Sequence, residues 1–248
     1  MPIQSILVAV DFGDASARAV AVGGAIAARC RNASLRLLHA ESIEAPPYFT
    51  SEQIDDLERQ RHTITSQAEQ FLSRFGRQYT AVPFIATVDL RPPSEAIVAA
   101  AASADLVVMG THGRHGLQRW WLGSVAERVL RETRTPLLVI RASDVGHVAT
   151  PPSDHLFDRT VVHAAAPLPG NRVLAFARVL AACFEGVVSD ERHGVIETAL
   201  ERTHATLLAA SVPEPRSAAW TSNYGEPLLR YCTVPILFVP ELDEGASL

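Results

Sequence analysis

The chain has 248 residues, of which 48% are hydrophobic and 20% charged, a balance that excludes a disordered chain and predicts one full globular domain with a smaller second one. The formal net charge of −5 excludes the overall positive field that binding to DNA or another polyanion requires. All 22 basic residues are arginine, and the absence of lysine excludes Schiff-base chemistry and the P-loop lysine, so any phosphate must be held by backbone amides, hydroxyls, arginine or a metal.

Residues 1–141, which we call the first unit, alternate short apolar runs with helical patterns, as parallel βαβ proteins do. Several of the predicted strands are continuously apolar, which is typical of strands covered by helices on both faces. Strands are predicted at residues 3–10, 35–40, 82–88, 105–109 and 137–141. A long helix is predicted between the second and third strands, from apolar residues at helical spacing over 54–75, with Thr50 and Gln53 as a capping box.

Residues 142–158 are polar and proline-rich and predict a linker. After it, residues 159–240, which we call the second unit, repeat the first pattern in a shorter form. Strands are predicted at 159–165, 206–210 and 235–239, and a helix at 171–182. Arg172 matches Arg18, and the alanine pair at 181–182 matches the pair at 27–28 at the same offset, which indicates an internal repeat. The second unit lacks one strand and the long helix, so four strands are expected in it.

A group of glycines follows the fourth predicted strand. Gly110 and Gly113 let the backbone curve towards a ligand without a Cβ in the way. After nine further residues, Gly123-Ser124 opens a helix, whose unpaired first amides carry about half a positive charge from the helix dipole. A phosphate chain fits between the two glycines at 110 and 113 and the start of this helix. Asp11 ends the first strand and faces the same crevice if the first and fourth strands are neighbours; a carboxylate there can accept hydrogen bonds from a ribose or help to hold Mg²⁺.

The segment MGTHGRHGLQRWWLGSVAERVLRETRTPLLVIR resembles the nucleotide-binding signature of the universal stress protein family in its ATP-binding branch, and VAVDFGDASARA resembles the first strand and turn of that family. The resemblance covers residues 1–141 well and residues 159–240 in outline. It implies an α/β fold with a five-stranded parallel sheet in the order 3-2-1-4-5, flanked by helices, and a second, truncated copy of the same unit. It also implies that ATP is held without a Walker lysine.

Residue by residue, the resemblance implies one nucleotide site in the first unit. Asp11 is assigned to the nucleotide crevice, and the backbone at Ala40 is expected to meet adenine. Met109 and Gly110 are assigned to the ribose side, and the phosphates are assigned to Gly113, Arg114, Gly123, Ser124 and Val125. ATP is the expected cofactor, with or without Mg²⁺, and no metal ligand is assigned within the protein itself.

The second unit departs from this pattern. Ala165 stands in the place of Asp11, and Ser211 and Glu214 stand in the places of the two glycines at 110 and 113. A carboxylate and a nearby pair of prolines replace hydrogen-bond donors and flexible glycines, so the second unit is predicted to bind no nucleotide. In the family, two domains commonly associate through their last strands. That implies a pseudo-dimer within one chain, in which residues 137–141 meet residues 236–239, and leaves open a further homodimer.

Two functions from different classes remain open at the level of sequence. The leading hypothesis is a regulatory ATP-binding protein, with the second unit as its built-in partner. The alternative is a slow ATP hydrolase or phosphotransferase that uses the same pocket, for which Asp11, His112 and Arg114 are candidates, although no base and nucleophile are recognisable from their spacing. A third possibility is a domain that has lost its nucleotide and serves only in protein association.

The remaining chemistry-bearing residues give weaker signals. Cys30, Cys183 and Cys232 are odd in number and embedded in apolar stretches, so reduced, packed thiols are expected rather than a disulfide framework or a zinc site. His39, at the end of a strand, is expected to pack or to make a local hydrogen bond. The chain shows no leader pattern and no apolar stretch of the roughly 20 residues that a membrane span needs, so a cytoplasmic protein is expected.

Overall fold

The computed structural model describes residues 2–42, 51–110, 124–140, 155–164, 171–191, 195–213 and 234–241, together with residues 225, 228 and 232. For residues 51–60 and 62, only the backbone is described. No helix in these ranges combines the length and the apolar character that crossing a membrane requires.

Strands and helices alternate along the described part of the first unit, as the apolar runs predicted. The strands are β1 (Ser5–Ala9), β2 (Ser34–Ala40), β3 (Phe84–Asp89), β4 (Leu106–Gly110) and β5 (Leu137–Ile140). The helices are α1 (Asp14–Arg29), α2 (Ser51–Tyr79), α3 (Pro93–Ala101) and α4 (Ser124–Glu132). Each predicted strand is confirmed to within two residues at either end. The predicted long helix lies within α2, whereas Thr50 of its predicted capping box lies outside the described residues.

The described part of the second unit holds four strands, the number expected from its length. Its strands are β6 (Arg159–His163), β7 (Val187–Asp190), β8 (Leu207–Val212) and β9 (Ile236–Pro240). Its helices are α5 (Asn171–Cys183) and α6 (Ile196–Thr203). The sequence pattern had located neither β7 nor α6. The other elements of the second unit lie at their predicted places, namely β6, α5, β8 and β9. β7 and α6 fill the gap between α5 and β8.

The strands form one sheet in the order β3-β2-β1-β4-β5-β9-β8-β6-β7. The first five strands are parallel and follow the order 3-2-1-4-5, which confirms the predicted α/β fold class. The strands of the second unit are also parallel to one another and repeat that order without its third strand. The two units meet at β5 and β9, which are antiparallel, with Leu138 opposite Leu237. A last strand from each unit therefore pairs within one chain.

Helices cover both faces of the sheet, and alternate strand residues point to each face. One buried cluster includes Val8 and Leu37 with apolar residues of α1, α2 and α5. The other includes Leu7 and Leu38 with apolar residues of α3, α4 and α6. Both clusters contain residues of both units, so each core continues across the junction of β5 and β9. We call these the α1/α2 face and the α3/α4 face.

Candidate functional site

The carboxyl ends of β2, β1 and β4 lie side by side at one edge of the sheet. β1 pairs in parallel with β2 on one side and with β4 on the other. When these registers are continued past the last strand residue, Asp11 is level with Ala40 and one residue beyond Gly110. The strand order reverses at this point, because β2 and β3 extend from one side of β1 and β4 and β5 from the other. Open α/β sheets bind ligands in the crevice at such a reversal.

Asp11 is held in place by the first turn of α1. Its Oδ1 accepts a hydrogen bond from the backbone N–H of Gly13 at 2.9 Å and another from the Ser16 hydroxyl. The backbone N–H of Asp11 in turn donates to Ser16 Oγ at 3.3 Å. Ser16 is only 2% exposed, so this arrangement is fixed by packing. Ser16 was not among the predicted site residues; the available signal in the sequence is a hydroxyl residue in the first turn of the helix that follows the aspartate.

Gly110 is required by the close packing of β4 against α1. A Cβ at this position would lie 2.7 Å from the Cβ of Ala15 and 3.3 Å from the backbone N of Ser16. Its φ angle does not lie in the left-handed region that favours glycine. The absence of a side chain at Gly110 is therefore explained by the approach of α1 and not by a left-handed backbone conformation, and the expected approach of a ligand at Gly110 stays a prediction.

The other described site residues lie on the α3/α4 face. Met109 is 5% exposed and belongs to the cluster of that face, and Ala40 follows the alternation of Leu38 on the same side. α4 connects the parallel strands β4 and β5, so it runs back along the sheet from the carboxyl edge. Ser124, which is exposed, and Val125, which is half-buried, begin that helix. The end of β4 and the start of α4 therefore lie at the same edge of the sheet.

Three of the residues predicted to contact phosphate have no described position. Gly113, Arg114 and Gly123 fall within residues 111–123, which lie outside the described residues, as does His112. Their assignment remains a prediction from the sequence.

A cluster of aromatic rings lies beside Asp11 on the α1/α2 face. Phe12 has a φ angle of 64°, which is unusual for a residue with a side chain. Its ring centroid lies 4.4 Å from that of His39 and 4.8 Å from that of Phe71. His39 Nδ1 is 2.8 Å from the carbonyl oxygen of Val10, which confirms the expected local hydrogen bond. The nucleotide site predicted from sequence did not include this cluster.

The same rings line a groove of about 490 Å³ between α2 and the ends of β1 and β2. Phe12 and Phe71 supply apolar walls, and His39, Glu41 and Arg74 supply polar ones. His39 and Glu41 alternate with Ala40 along β2 and its extension, so they point to the opposite face of the sheet. The groove therefore opens on the α1/α2 face, opposite to α4, and its lining includes none of the residues assigned to the nucleotide.

The corresponding edge of the second unit is occupied by its own side chains. Glu241, which is 8% exposed, accepts hydrogen bonds from the backbone N–H groups of Val173 at 3.1 Å and Arg172 at 3.4 Å, at the start of α5. Ser211, in the place of Gly110, is fully buried, and its hydroxyl has no hydrogen-bond partner among the described residues. Ala165 and Glu214 lie outside those residues. A protein carboxylate therefore satisfies the free amides that open α5.

Comparison with known proteins identifies the family of the chain. The family model of the universal stress protein family matches residues 2–141. The chain belongs to the universal stress protein family. It is 36% identical over 142 residues to a universal stress protein of Mycobacterium tuberculosis, an alignment that covers 56% of this chain and 45% of that protein. It is 33% identical over 141 residues to a universal stress protein of Thermus aquaticus, of which 98% is covered. The match thus spans less than half of the mycobacterial relative.

Solved structures extend the likeness to the second unit. The crystal structure of a universal stress protein from Archaeoglobus fulgidus aligns with 95% of this chain and 98% of its own, with a TM-score of 0.61 and 18% identity. A structure from Pseudomonas aeruginosa aligns with 96% of this chain and 93% of its own, with a TM-score of 0.54 and 13% identity. At these identities the likeness shows the fold, and it covers both units.

Proposed function

We propose that this universal stress protein binds ATP in a regulatory role, at a single site in the first unit. The observation that carries the proposal is the meeting of Asp11, Ala40, Met109 and Gly110 at the strand-order reversal, on the edge where α4 begins with Ser124. An edge of this kind is where open α/β sheets receive nucleotides. The second unit serves as the built-in partner of the first, through the pairing of β5 with β9.

The start of α4 suits a phosphate group. Its first amides have no partners within the helix and carry a partial positive charge, and the Ser124 hydroxyl is exposed beside them. Glu127, in the first turn, brings the opposite charge, but its carboxylate lies 4.0 Å from the guanidinium of Arg131 one turn further on. Since the chain has no lysine, Arg114 is the cation proposed to assist these amides.

Asp11 is the described carboxylate placed to meet a metal ion brought by the nucleotide. Mg²⁺ is commonly held by one or two carboxylates and by phosphate oxygens, and it keeps several waters. No group of three or more metal-ligating side chains occurs among the described residues. When bound, Mg²⁺ would neutralise phosphate charge. The Asp11 carboxylate is held at the edge of the sheet by the hydrogen bonds that it accepts from the first turn of α1.

The second unit is proposed to bind no nucleotide. Glu241 places a negative charge at the carboxyl edge of the second unit, at the start of α5, which is the counterpart of α1, and an anionic ligand at that edge would be repelled. Ser211 puts a side chain where the first unit has only the hydrogen of Gly110, and the whole residue is buried. ATP would then bind with a stoichiometry of one per chain.

Regulation follows from linkage. A ligand that binds the folded first unit and not the unfolded chain stabilises it by about 2.7 kcal/mol at 100 times its Kd. The presence of ATP would thereby change which conformations of the protein are available to partner proteins. The alternative of a slow ATP hydrolase or phosphotransferase uses the same pocket and differs in one observable, the release or transfer of phosphate.

Calorimetric titration with ATP, with and without Mg²⁺, tests the proposal on three proteins: wild type, Gly113→Val and the matched control Glu214→Val. We expect one ATP per chain in wild type and control, and an affinity lowered about tenfold or more in Gly113→Val, since a valine side chain would meet the phosphates. Unchanged binding in Gly113→Val, or two ATP per wild-type chain, would contradict the assignment. Phosphate release by wild type that exceeds the release by Gly113→Val would favour the hydrolase.

A further inference from the structure

Cys30 and Cys183 meet where α1 of the first unit packs against α5 of the second. Cys30 directly follows α1, and Cys183 is the last residue of α5. Their Sγ atoms lie 2.7 Å apart, although 153 positions separate the two residues in sequence. A disulfide bond is about 2.05 Å long, so the sulfurs must approach by only about 0.7 Å to form one. Both thiols are free in this structure.

The packing around the two thiols holds their sulfur atoms close together. The Arg29 guanidinium lies 4.6 Å above the ring of Phe184, the residue after Cys183. The ring of Phe157 lies 4.3 Å from the same ring and is 1% exposed. The backbone N–H of Cys30 donates to the carbonyl oxygen of Ile26 at 2.8 Å, so Cys30 is fixed by the last turn of α1. The two sulfurs therefore face each other through tertiary packing, and no rearrangement of either helix is needed to join them.

We propose that Cys30 and Cys183 form an oxidation site, at which a hydroperoxide converts the two thiols into a disulfide that ties the first unit to the second. The Cys183 thiolate attacks one peroxide oxygen, the O–O bond breaks, and hydroxide leaves, which gives a sulfenic acid on Cys183. The Cys30 sulfur then attacks the Cys183 sulfur, the S–S bond forms, the S–O bond breaks, and the oxygen leaves as water with the Cys30 proton. In total, two thiols and one hydrogen peroxide give one disulfide and two waters.

The difference in burial sets the order of the two steps. Cys30 is 5% exposed, and burial, followed by the hydrogen bond and charge of Cys183, raises the pKa of its thiol to about 12. Cys30 therefore stays protonated near neutral pH and reacts poorly with the oxidant, because the thiolate is the nucleophile. Cys183 is only half-buried, so it meets the oxidant first. Cys30 resolves the sulfenic acid because its sulfur is held 2.7 Å from that of Cys183 and its proton passes to the leaving oxygen during the attack. This inference does not depend on nucleotide binding.

Cys232 provides a control within the same chain. It is 5% exposed and belongs to the cluster on the α3/α4 face. Cys30 belongs to the cluster on the α1/α2 face, and Cys183 packs against that cluster. The Sγ of Cys232 lies 3.5 Å from the carbonyl oxygen of Val234. Because the sheet lies between the two clusters, Cys232 cannot take part in the disulfide.

The test treats the reduced, full-length protein with hydrogen peroxide, then denatures it and counts the thiols that still react with an alkylating agent. We expect wild type and Cys232→Ser each to lose two thiols, with recovery of both on treatment with dithiothreitol. Cys30→Ser and Cys183→Ser are expected to form no internal disulfide. Proteolysis of oxidised wild type should give one cross-linked peptide pair that contains Cys30 and Cys183, identified by mass spectrometry.

A second readout measures the thermal effect of the cross-link. Oxidised wild type and oxidised Cys232→Ser should melt roughly 4–16 °C above their reduced forms, because the disulfide closes a long loop in the unfolded chain. Cys183→Ser should show no such rise. Retention of all three thiols after oxidation of wild type, or a cross-link that includes Cys232, would overturn the proposal. The peptide mapping uses wild type and so does not depend on any variant folding.

Discussion

Replacing Gly110 by alanine tests whether this glycine is required by the fold before any ligand is considered. The added Cβ would lie 2.7 Å from the Cβ of Ala15, whereas ordinary contacts of this kind are 3.4–4 Å. β4 and α1 must therefore separate by about 0.7–1.3 Å in a region where Ala15 is 4% exposed. Overpacking of a well-packed core costs about 1–3 kcal/mol. For a chain of this size that lowers the Tm by roughly 2–12 °C.

The assay is unfolding by urea and by heat, without nucleotide, of wild type, Gly110→Ala and Ala15→Gly, together with the double variant. Ala15→Gly removes the closest contact, although the backbone atoms of residues 15 and 16 still lie 3.2 and 3.3 Å from the new Cβ. The single change Ala15→Gly costs up to about 1 kcal/mol in helix propensity. We expect the double variant to be more stable than the sum of the two single effects predicts, with a coupling free energy of about 1 kcal/mol.

A different outcome would refute the packing explanation. If Gly110→Ala is as stable as wild type without nucleotide and loses only ATP binding, the glycine is retained for the ligand and the close approach of α1 is not limiting.

Three further perturbations follow from contacts elsewhere in the fold. Arg91 donates a hydrogen bond to Asp89 and lowers the pKa of the Asp89 carboxyl, so the pair stabilises the fold above the ordinary aspartate pKa and stops doing so as pH falls through the lower folded value. Because Arg91 is 55% exposed, Asp89→Asn should lower the free energy of unfolding by less than about 1 kcal/mol at pH 7 and by almost nothing near pH 2. Urea unfolding at both pH values checks this, and an equal loss at both would contradict it. Asp105 Oδ2 accepts hydrogen bonds from two backbone amides and a hydroxyl near the start of β1, at 2.8, 2.9 and 3.0 Å. Asp105→Ala should therefore lower the free energy of unfolding by about 2–3 kcal/mol, and a Tm equal to that of wild type would contradict this. A Cβ on Gly186 would lie 2.0 Å from the carbonyl oxygen of Phe157, so Gly186→Ala should cost more than about 2 kcal/mol, and wild-type stability by circular dichroism would argue against the described contact.

Much of the fold could be predicted from sequence, because buried parallel strands leave a strong local signal. Short apolar runs such as residues 106–109 are typical of strands that helices cover on both faces. The strand order came from the family resemblance and not from periodicity. β7 was missed for a physical reason: it is a short strand at the edge of the sheet, it has only two apolar residues, and its Val187 is 65% exposed. α6 was missed because it has only eight residues, which is too short for a repeating helical pattern.

The candidate site was predictable in its outline and not in its contacts. The positions of Asp11 and Gly110 at strand ends predicted that the two residues lie at one edge of the sheet, as they do. The support of Asp11 by Ser16, and the packing of Ala15 on Gly110, depend on how α1 docks, which local sequence does not determine. The same holds for Cys30, whose expected reduced and packed state gave no sign of a thiol contact with a residue 153 positions away.

The central claim is that backbone amides at the end of β4 and the start of α4 hold a triphosphate without help from a lysine. A crystal structure of the full chain grown with ATP and Mg²⁺ tests it most directly. We expect triphosphate density between the segment after Gly110 and the first turn of α4, with no nucleotide beside Glu241 in the second unit. Nucleotide absent from that crevice at saturating ATP, or bound in the second unit instead, would contradict it.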